Sequence, residues 1–341
     1  MNVKDCKDRV AWDAYVDSAP HASNYHRWGW KEVIENAFGW PTFYLAAKEA
    51  TEIRGILPLV WQKSRLFGSF VTSLPYFSHA GALAENRGIE EALVAEAIAL
   101  ARELGAGYLE IRHRRDHGLG LRTKTSKVSV LVKVEPDEDK MMKSLRSEVR
   151  TKIRKAAKSG LTADMLGEQG LDDFYAIFAE RMRELGTPVY SKSFFAEIFK
   201  ALGADTRICL VRHQGKPVAA TFLTAFRDTI ESLWSSSRRQ FAGMEPNALL
   251  NWSILRFAGD RGYRIFDFGR STIGSGPHNY KLQWGSQEVP LYWDYWSPKN
   301  NGEPGLGRAN PKYDIFMRLW RKLPLRLTKL LGPSIVRCLP H

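Results

Sequence analysis

The chain has 341 residues, 44% of them hydrophobic and 26% charged, so it can bury a core and is not a disordered polymer. Its cysteines, Cys6, Cys209 and Cys338, lie far apart with no CxxC pair, which excludes a disulfide scaffold and a cysteine-built zinc module. The 50 Lys+Arg against 37 Asp+Glu leave a net charge of +13, and two segments, Lys140–Lys158 and Lys312–His341, hold the whole excess.

In chain order, the start MNVKDCKDRVAWD puts charges where a signal peptide needs an apolar stretch, and no apolar run reaches the roughly 18 residues of a membrane span. A cytoplasmic chain is expected. Asn24, Tyr25 and Trp30 fall in a predicted N-terminal helix. TFYLAAKEATEIRGILPLVW reads as an antiparallel hairpin turning at Glu52–Gly55, and SFVTSLPYF as a further strand. IEEALVAEAIALARELGAGYLEIR then gives a helix, a glycine stop and a strand. His113 and His117 have ligand-like spacing, but they follow a strand and are flanked by arginines, so a surface loop is expected and no metal. Glu135-Pro136-Asp137 marks a junction.

The first basic segment sets Lys140, Lys143, Arg146, Arg150, Lys152, Arg154, Lys155 and Lys158 against a single anion, Glu148. Met142, Leu145, Val149, Ile153 and Ala156 recur at spacings of three and four, which predicts one helix with an apolar stripe, stopped at Gly160. Lys143, Arg146, Arg150, Arg154 and Lys158 form a cationic ridge beside the stripe. The ridge suits phosphates of an anionic partner; a solvated face is the alternative.

The elements of the first half then return. RICLVRHQGKPVAATFLTAF is a hairpin turning at His213–Lys216, TIESLWSSS a strand, and PNALLNWSILRFAGDRGYRIFDFGR a helix, a stop and a strand. An offset of 157 aligns Leu93 with Leu250, Gly105 with Gly262, and Glu110 with Asp267. The fold class is therefore mixed α/β (α+β), a largely antiparallel sheet flanked by helices, present in duplicate. The domains are 1–135, 136–300 and a basic amphipathic tail, 301–341. In the tail, Phe316, Leu319, Trp320 and Leu323 suit one helix, broken at Pro324, and Leu327, Leu330 and Leu331 another. It either packs on the body or contacts the inner face of a membrane.

LRSEVRTKIRKAAKSGL (145–161), GTPVY (186–190), FDFGRS (266–271) and NYKLQWGSQEVPLYW (279–293), with GILPLVW, SLPYFSHAG and LEIR in the first half, resemble the FemAB-like acyltransferases. Within that family they look most like the branch associated with exosortase, PEP-CTERM and exopolysaccharide loci. The resemblance implies two tandem GNAT-type domains and transfer of an aminoacyl group from charged tRNA to an amine of a cell-wall precursor. It implies that Lys281, in the Lys-x-x-Trp-Gly motif, lies at the reacting centre, stabilising an oxyanion or binding a donor phosphate. It also implies that Trp234 and Ser235 lie on the strand that splays to offer a backbone oxyanion donor.

Asp267 is an acid near the end of an apolar strand, where it must be paired or used. Arg270 and Ser271 follow at the strand exit and suit phosphate or carboxylate. Tyr190 is a candidate proton donor, Tyr280 and Trp284 candidate lining, and Tyr76 and His79 candidate cleft-wall residues in the first half. The turn where a GNAT enzyme would hold the pyrophosphate of CoA reads Gln240-Phe-Ala-Gly243-Met-Glu245, with a carboxylate in place of the second small residue. No cofactor is therefore expected, and charged tRNA is favoured as donor. The alternatives are an acyl-CoA- or acyl-carrier-dependent transferase acting on a sugar amine, and a non-catalytic membrane-surface scaffold or RNA-binding protein.

Overall fold

The computed structural model describes residues 1–64, 68–298 and 311–339, with side chains in the last stretch from Ile315 onward. The chain forms two compact units. The first comprises Met1–Lys127, Pro290–Asn310 and Arg337–His341, and the second Val128–Val289 and Pro311–Val336. The sequence-derived boundary at 135/136 thus lies inside unit 2. Residues 299–300 of the predicted second domain, and 301–310 and 340–341 of the predicted tail, lie outside the described residues, as do the side chains of Lys312 and Asp314.

Unit 1 runs β1 (Asn2–Asp5), α1 (Arg9–Ser18), α2 (Gly29–Phe38), β2 (Thr42–Glu49), β3 (Glu52–Ser64), β4 (Gly68–Thr72), β5 (Leu83–Ala84), α3 (Arg87–Glu103) and β6 (Tyr108–His113). The chain enters unit 2 within β7 (Arg122–Lys133) and continues through α4 (Glu138–Ser144), α5 (Ser147–Lys158), β8 (Leu161–Leu166), α6 (Leu171–Leu185), α7 (Lys192–Leu202), β9 (Thr206–His213), β10 (Lys216–Phe226) and β11 (Thr229–Ser237). Then come α8 (Pro246–Asp260), β12 (Ile265–Thr272), α9 (Gly276–Leu282) and β13 (Gln287–Trp296), within which the chain returns to unit 1, and, again in unit 2, α10 (Pro311–Lys322) and α11 (Leu325–Val336). Strand order is β1-β2-β3-β4-β6-β13 in unit 1 and β7-β12-β11-β10-β9-β8 in unit 2. Each unit has its own apolar core. One gathers Leu57, Val71, Leu93 and Leu109, the other Val211, Leu223, Leu250 and Phe266.

The internal repeat is realised down to the hydrogen-bond ladder. In unit 1, β4 and β6 are parallel, with Phe70, Val71 and Thr72 opposite Tyr108, Leu109 and Glu110. In unit 2, β11 and β12 are parallel, with Thr229, Ile230 and Glu231 opposite Ile265, Phe266 and Asp267. The second strands keep the 157-residue offset. So do the helix ends before them, where Gly105 (φ 62°) and Gly262 (φ 77°) both take the left-handed conformation that closes a helix.

Two expectations shift. The first hairpin turns at Ala50–Thr51, with Ala50 at φ 51°, rather than at Glu52–Gly55. Gly55 instead lies inside β3, where a Cβ would stand 2.6 Å from Ile89 Cγ2, so its role is to let α3 approach the sheet. The second hairpin turns between His213 and Lys216 as expected.

The basic segment is two helices rather than one. Leu145 and Arg146 are extended (ψ 149° at both), so α4 and α5 are separate rods, and α4 buries Met141 in place of Met142. Arg150 donates from Nη1 to the carbonyl oxygens of Lys143 (3.1 Å) and Leu145 (3.0 Å), closing the end of α4.

The tail breaks near Pro324 as expected, and both its helices pack on α6. Arg321 donates to the Leu185 carbonyl (3.3 Å), and Lys329 lies 5.2 Å over the Tyr175 ring.

Because a Cβ at Gly105 or Gly262 meets no atom within 4 Å, alanine at either position should cost only the left-handed backbone penalty. That is about 1 kcal/mol. Urea unfolding of the two single variants should show similar losses, and a negligible loss in either would break the correspondence.

Candidate active site

The parallel ladder of unit 2 stops at Glu231 and Asp267, although β11 continues to Ser237 and β12 to Thr272. A β-bulge at Leu233, where the β10 register shifts between Phe222–Trp234 and Leu223–Ser232, bends β11 where that pairing ends. The two strands still touch at one place: a Cβ on Gly269 (φ 72°) would lie 2.8 Å from the Ser232 carbonyl oxygen. Only glycine fits there.

Lys281 comes to this point from α9. It lies in the last turn of a short helix capped by Ser275. Its ammonium donates to the carbonyl oxygens of Gly269 (3.0 Å) and Arg270 (3.1 Å). Two of its three N–H groups are thus engaged, and the third can meet a ligand. Burial lowers its pKa to about 8; Asp267 and Glu231 act to raise it, and Arg270 to lower it. FDFGRS and NYKLQWG are therefore joined by direct contact.

Asp267 is 1% exposed. It accepts from the Ser129 hydroxyl (3.0 and 2.9 Å to its two oxygens) and from the Gly269 N–H (2.8 Å). A carboxylate held this way acts on the site through its charge and through the Gly269 turn, and its burial is matched by hydrogen bonds from Ser129 and Gly269. Ser271 is buried and its hydroxyl has no hydrogen-bond partner, so it can receive one from a ligand.

Tyr280, next to Lys281, accepts from Asn251 Nδ2 (3.1 Å), and burial pushes its phenol up to about 12. Trp284 is buried beside Phe268 (ring centroids 5.9 Å apart). Lys152 of α5 lies 6.0 Å over the Tyr280 ring and donates to Gln283 Oε1 (3.2 Å), so the basic helix borders the Lys281 segment. Arg146 and Arg154 are exposed, whereas Arg150 is partly buried and spends Nη1 on the end of α4.

Tyr190 and Trp234 do meet, edge to face at 5.9 Å. They meet within a ring cluster with Phe194 and Phe195, which makes Tyr190 a wall residue and not an exposed proton donor. Ser235 is exposed and accepts from the Thr221 hydroxyl (2.8 Å).

The first-half candidates are interior residues of unit 1 and not cleft wall. Tyr76 is 5% exposed and donates to the Arg337 carbonyl (3.1 Å). His79 is 4% exposed and edge-on to Tyr25 (5.0 Å); burial first, then Arg114 and His26, holds it neutral. Of the two histidines expected in a surface loop, His113 instead ends β6 at 2% exposure, whereas His117 does lie in the connection between β6 and β7.

At the head of α8, Glu245 takes a left-handed conformation (φ 60°, ψ 44°) immediately before Pro246. A carboxylate at the N-cap satisfies the helix dipole that a CoA pyrophosphate would need.

Residues 143–282 match the acetyltransferase (GNAT) domain family. The lipid II:glycine glycyltransferase of Staphylococcus epidermidis is 24% identical over 238 residues, 61% of this chain and 55% of the relative. The crystal structure of FemX superposes with a TM-score of 0.68 at 16% identity, covering 86% of this chain and 97% of that one. The chain is thus similar to FemAB-type transferases. Its fold is also shared by a tandem GNAT protein from the clavulanic acid biosynthesis pathway, at a TM-score of 0.55, 12% identity, and coverage of 86% and 98%. The chain spans about half the length of the curated relatives it matches.

If Lys281 works as a cation, its charge disappears as pH rises through about 8. Transfer rate should then fall above that pH, and Lys281→Arg should push the descending limb to higher pH, because a guanidinium stays protonated. A rate that climbs steadily to about pH 10 in the unaltered protein would contradict a cationic role.

Proposed function

We propose that unit 2 catalyses N-acyl transfer, moving an aminoacyl group from charged tRNA to an amine of a cell-envelope precursor. The observation that carries this is the Lys281 ammonium, clamped on the Gly269 and Arg270 carbonyls with one donor left over, beside the place where β11 and β12 cease to pair. The amine nitrogen attacks the ester carbonyl carbon, the carbonyl oxygen becomes an oxyanion, and Lys281 donates to it. The C–O bond of the ester then breaks, the ribose hydroxyl leaves, and the nitrogen loses its proton. An amine needs little more than positioning and desolvation to do this. Asp267 positions Lys281 and keeps positive charge there, while Tyr190, Trp234, Tyr280 and Trp284 wall the acyl group. Arg146, Arg154 and the unburied lysines of α5 hold phosphates of the carrier, and Arg270 and Ser271 the anionic end of a substrate. Glu245 disfavours CoA as donor. An amine-bearing exopolysaccharide precursor is the finer alternative for the acceptor.

Transfer assayed with charged tRNA and an amine-bearing lipid-linked precursor should fall about 100- to 1,000-fold in kcat for Lys281→Ala. Partial recovery is expected in Lys281→Arg, with KM for the carrier rising instead in Arg154→Glu. Full activity of Lys281→Ala, or turnover with acetyl-CoA and none with charged tRNA, would contradict the assignment.

No helix among the described residues is long and apolar enough to cross a membrane. The outer side of α10 and α11 nonetheless exposes Ile315, Leu319, Leu327, Leu330 and Leu331 among Arg318, Lys322 and Arg326. We take this as a peripheral contact that brings a cytoplasmic enzyme to a lipid-borne acceptor at the inner face of the membrane. The protein should float with vesicles rich in phosphatidylglycerol and not with neutral ones, and Leu319→Asp with Leu330→Asp should abolish flotation. Equal recovery from both vesicle types, or none from either, would contradict the contact.

A further inference from the structure

Unit 1 holds a group of ionisable side chains that acyl transfer does not use. Glu90 lies in the first turn of α3, His113 ends β6, and His117 lies in the connection that follows. One ligand-capable atom from each sits within 4.8 Å of the others. Their side chains are withdrawn from water, at 10%, 1% and 6% exposure. The two imidazole rings face each other at 4.2 Å. Glu90 Oε1 touches His117 Nδ1, and the buried Nε2 of His113 has no hydrogen-bond partner.

A fourth candidate ligand stands beside them. Asp294 of β13 is 4% exposed, with Oδ2 at 3.5 Å from His113 Nε2 and its other oxygen accepting from the Thr123 hydroxyl. Among the described residues no lysine or arginine pairs with Glu90 or Asp294. Two buried carboxylates without a cationic partner are expensive, and such groups in proteins are paired or coordinate a metal.

The surroundings hold this geometry in place. Arg87 donates to the carbonyls of His117 (3.0 Å) and Gly118 (2.8 Å) and to Glu91 (2.7 Å), which ties the connection to α3. Gly81 lies so close to the other side of His113 that a Cβ would stand 2.3 Å from Nδ1, so that ring has one orientation open to a ligand, through Nε2.

We propose that Glu90, His113 and His117, with Asp294 as fourth ligand or outer-shell partner, bind one divalent transition-metal ion of the zinc class. Two imidazoles with carboxylate oxygens suit Zn(II) or Co(II), whereas Mg(II) and Ca(II) prefer oxygen alone. The ion would link the head of α3 to the end of β6 and the connection after it, stabilising unit 1.

The full-length chain, stripped with a chelator and titrated with Zn(II) against a chromogenic competitor, should take up one ion per chain. Co(II) should give visible d–d absorption, and Mg(II) should not compete. His117→Ala and Glu90→Ala, confirmed folded by circular dichroism, should weaken uptake more than about 100-fold, beyond what losing an outer-shell partner costs. Should either variant fail to fold, the stoichiometry and Co(II) spectrum of the unaltered chain decide alone. Absence of Zn(II) uptake by the folded unaltered protein, or equal uptake by the folded variants, overturns the site.

Discussion

The site in unit 2 depends on a place where two parallel strands stop pairing. Past Glu231 and Asp267 the two strands no longer pair with each other, and the bulge at Leu233 turns β11 away. Gly269 is the hinge of this arrangement. Its missing side chain lets the Ser232 carbonyl approach, its N–H is fixed by Asp267, and its carbonyl receives Lys281. The lysine thereby gains a fixed direction in surroundings dry enough to weaken its hold on a proton. A cation in that state donates more strongly to developing negative charge than a solvated one.

Comparison of the two repeats shows how the matching strands differ at one position. The offset that aligns Glu110 with Asp267 aligns Arg112 with Gly269. In unit 1, Arg112 is 1% exposed, bonded to Glu110 (2.5 Å) and the Phe77 carbonyl (2.6 Å), and covered by the Trp293 ring at 4.2 Å. Charge and countercharge come from one strand and close on each other. In unit 2 the strand offers glycine at that position, and the cation arrives from α9, leaving a donor unengaged. The same half-fold is thus a closed ion pair in one copy and an open cationic site in the other.

The fold was largely legible because its signals are local. Hydrophobic alternation marked the hairpins, Gly105 and Gly262 marked the helix ends, and the Lys-x-x-Trp-Gly run pointed to Lys281. The split between α4 and α5 was hidden because the apolar rhythm runs unbroken through Leu145, while the break is made by backbone and by Arg150. Ser129 carried no signal, since it reaches Asp267 across 138 residues, and the contact of Lys152 with Gln283 spans 131. Tyr190 and His79 misled for the opposite reason. Polar-tipped aromatics in short motifs look like site residues, and only packing reveals them as wall and core.

The state of Lys281 is the quantity that tests this account most directly. Nitrogen-detected NMR of the Lys281 Nζ, followed through a pH titration, should show a midpoint near the lowered value of about 8, moving lower still in Asp267→Asn as a countercharge is removed. A midpoint at the ordinary lysine value of about 10.4, unmoved by that substitution, would mean that the ammonium is solvated and that the site described here is not formed.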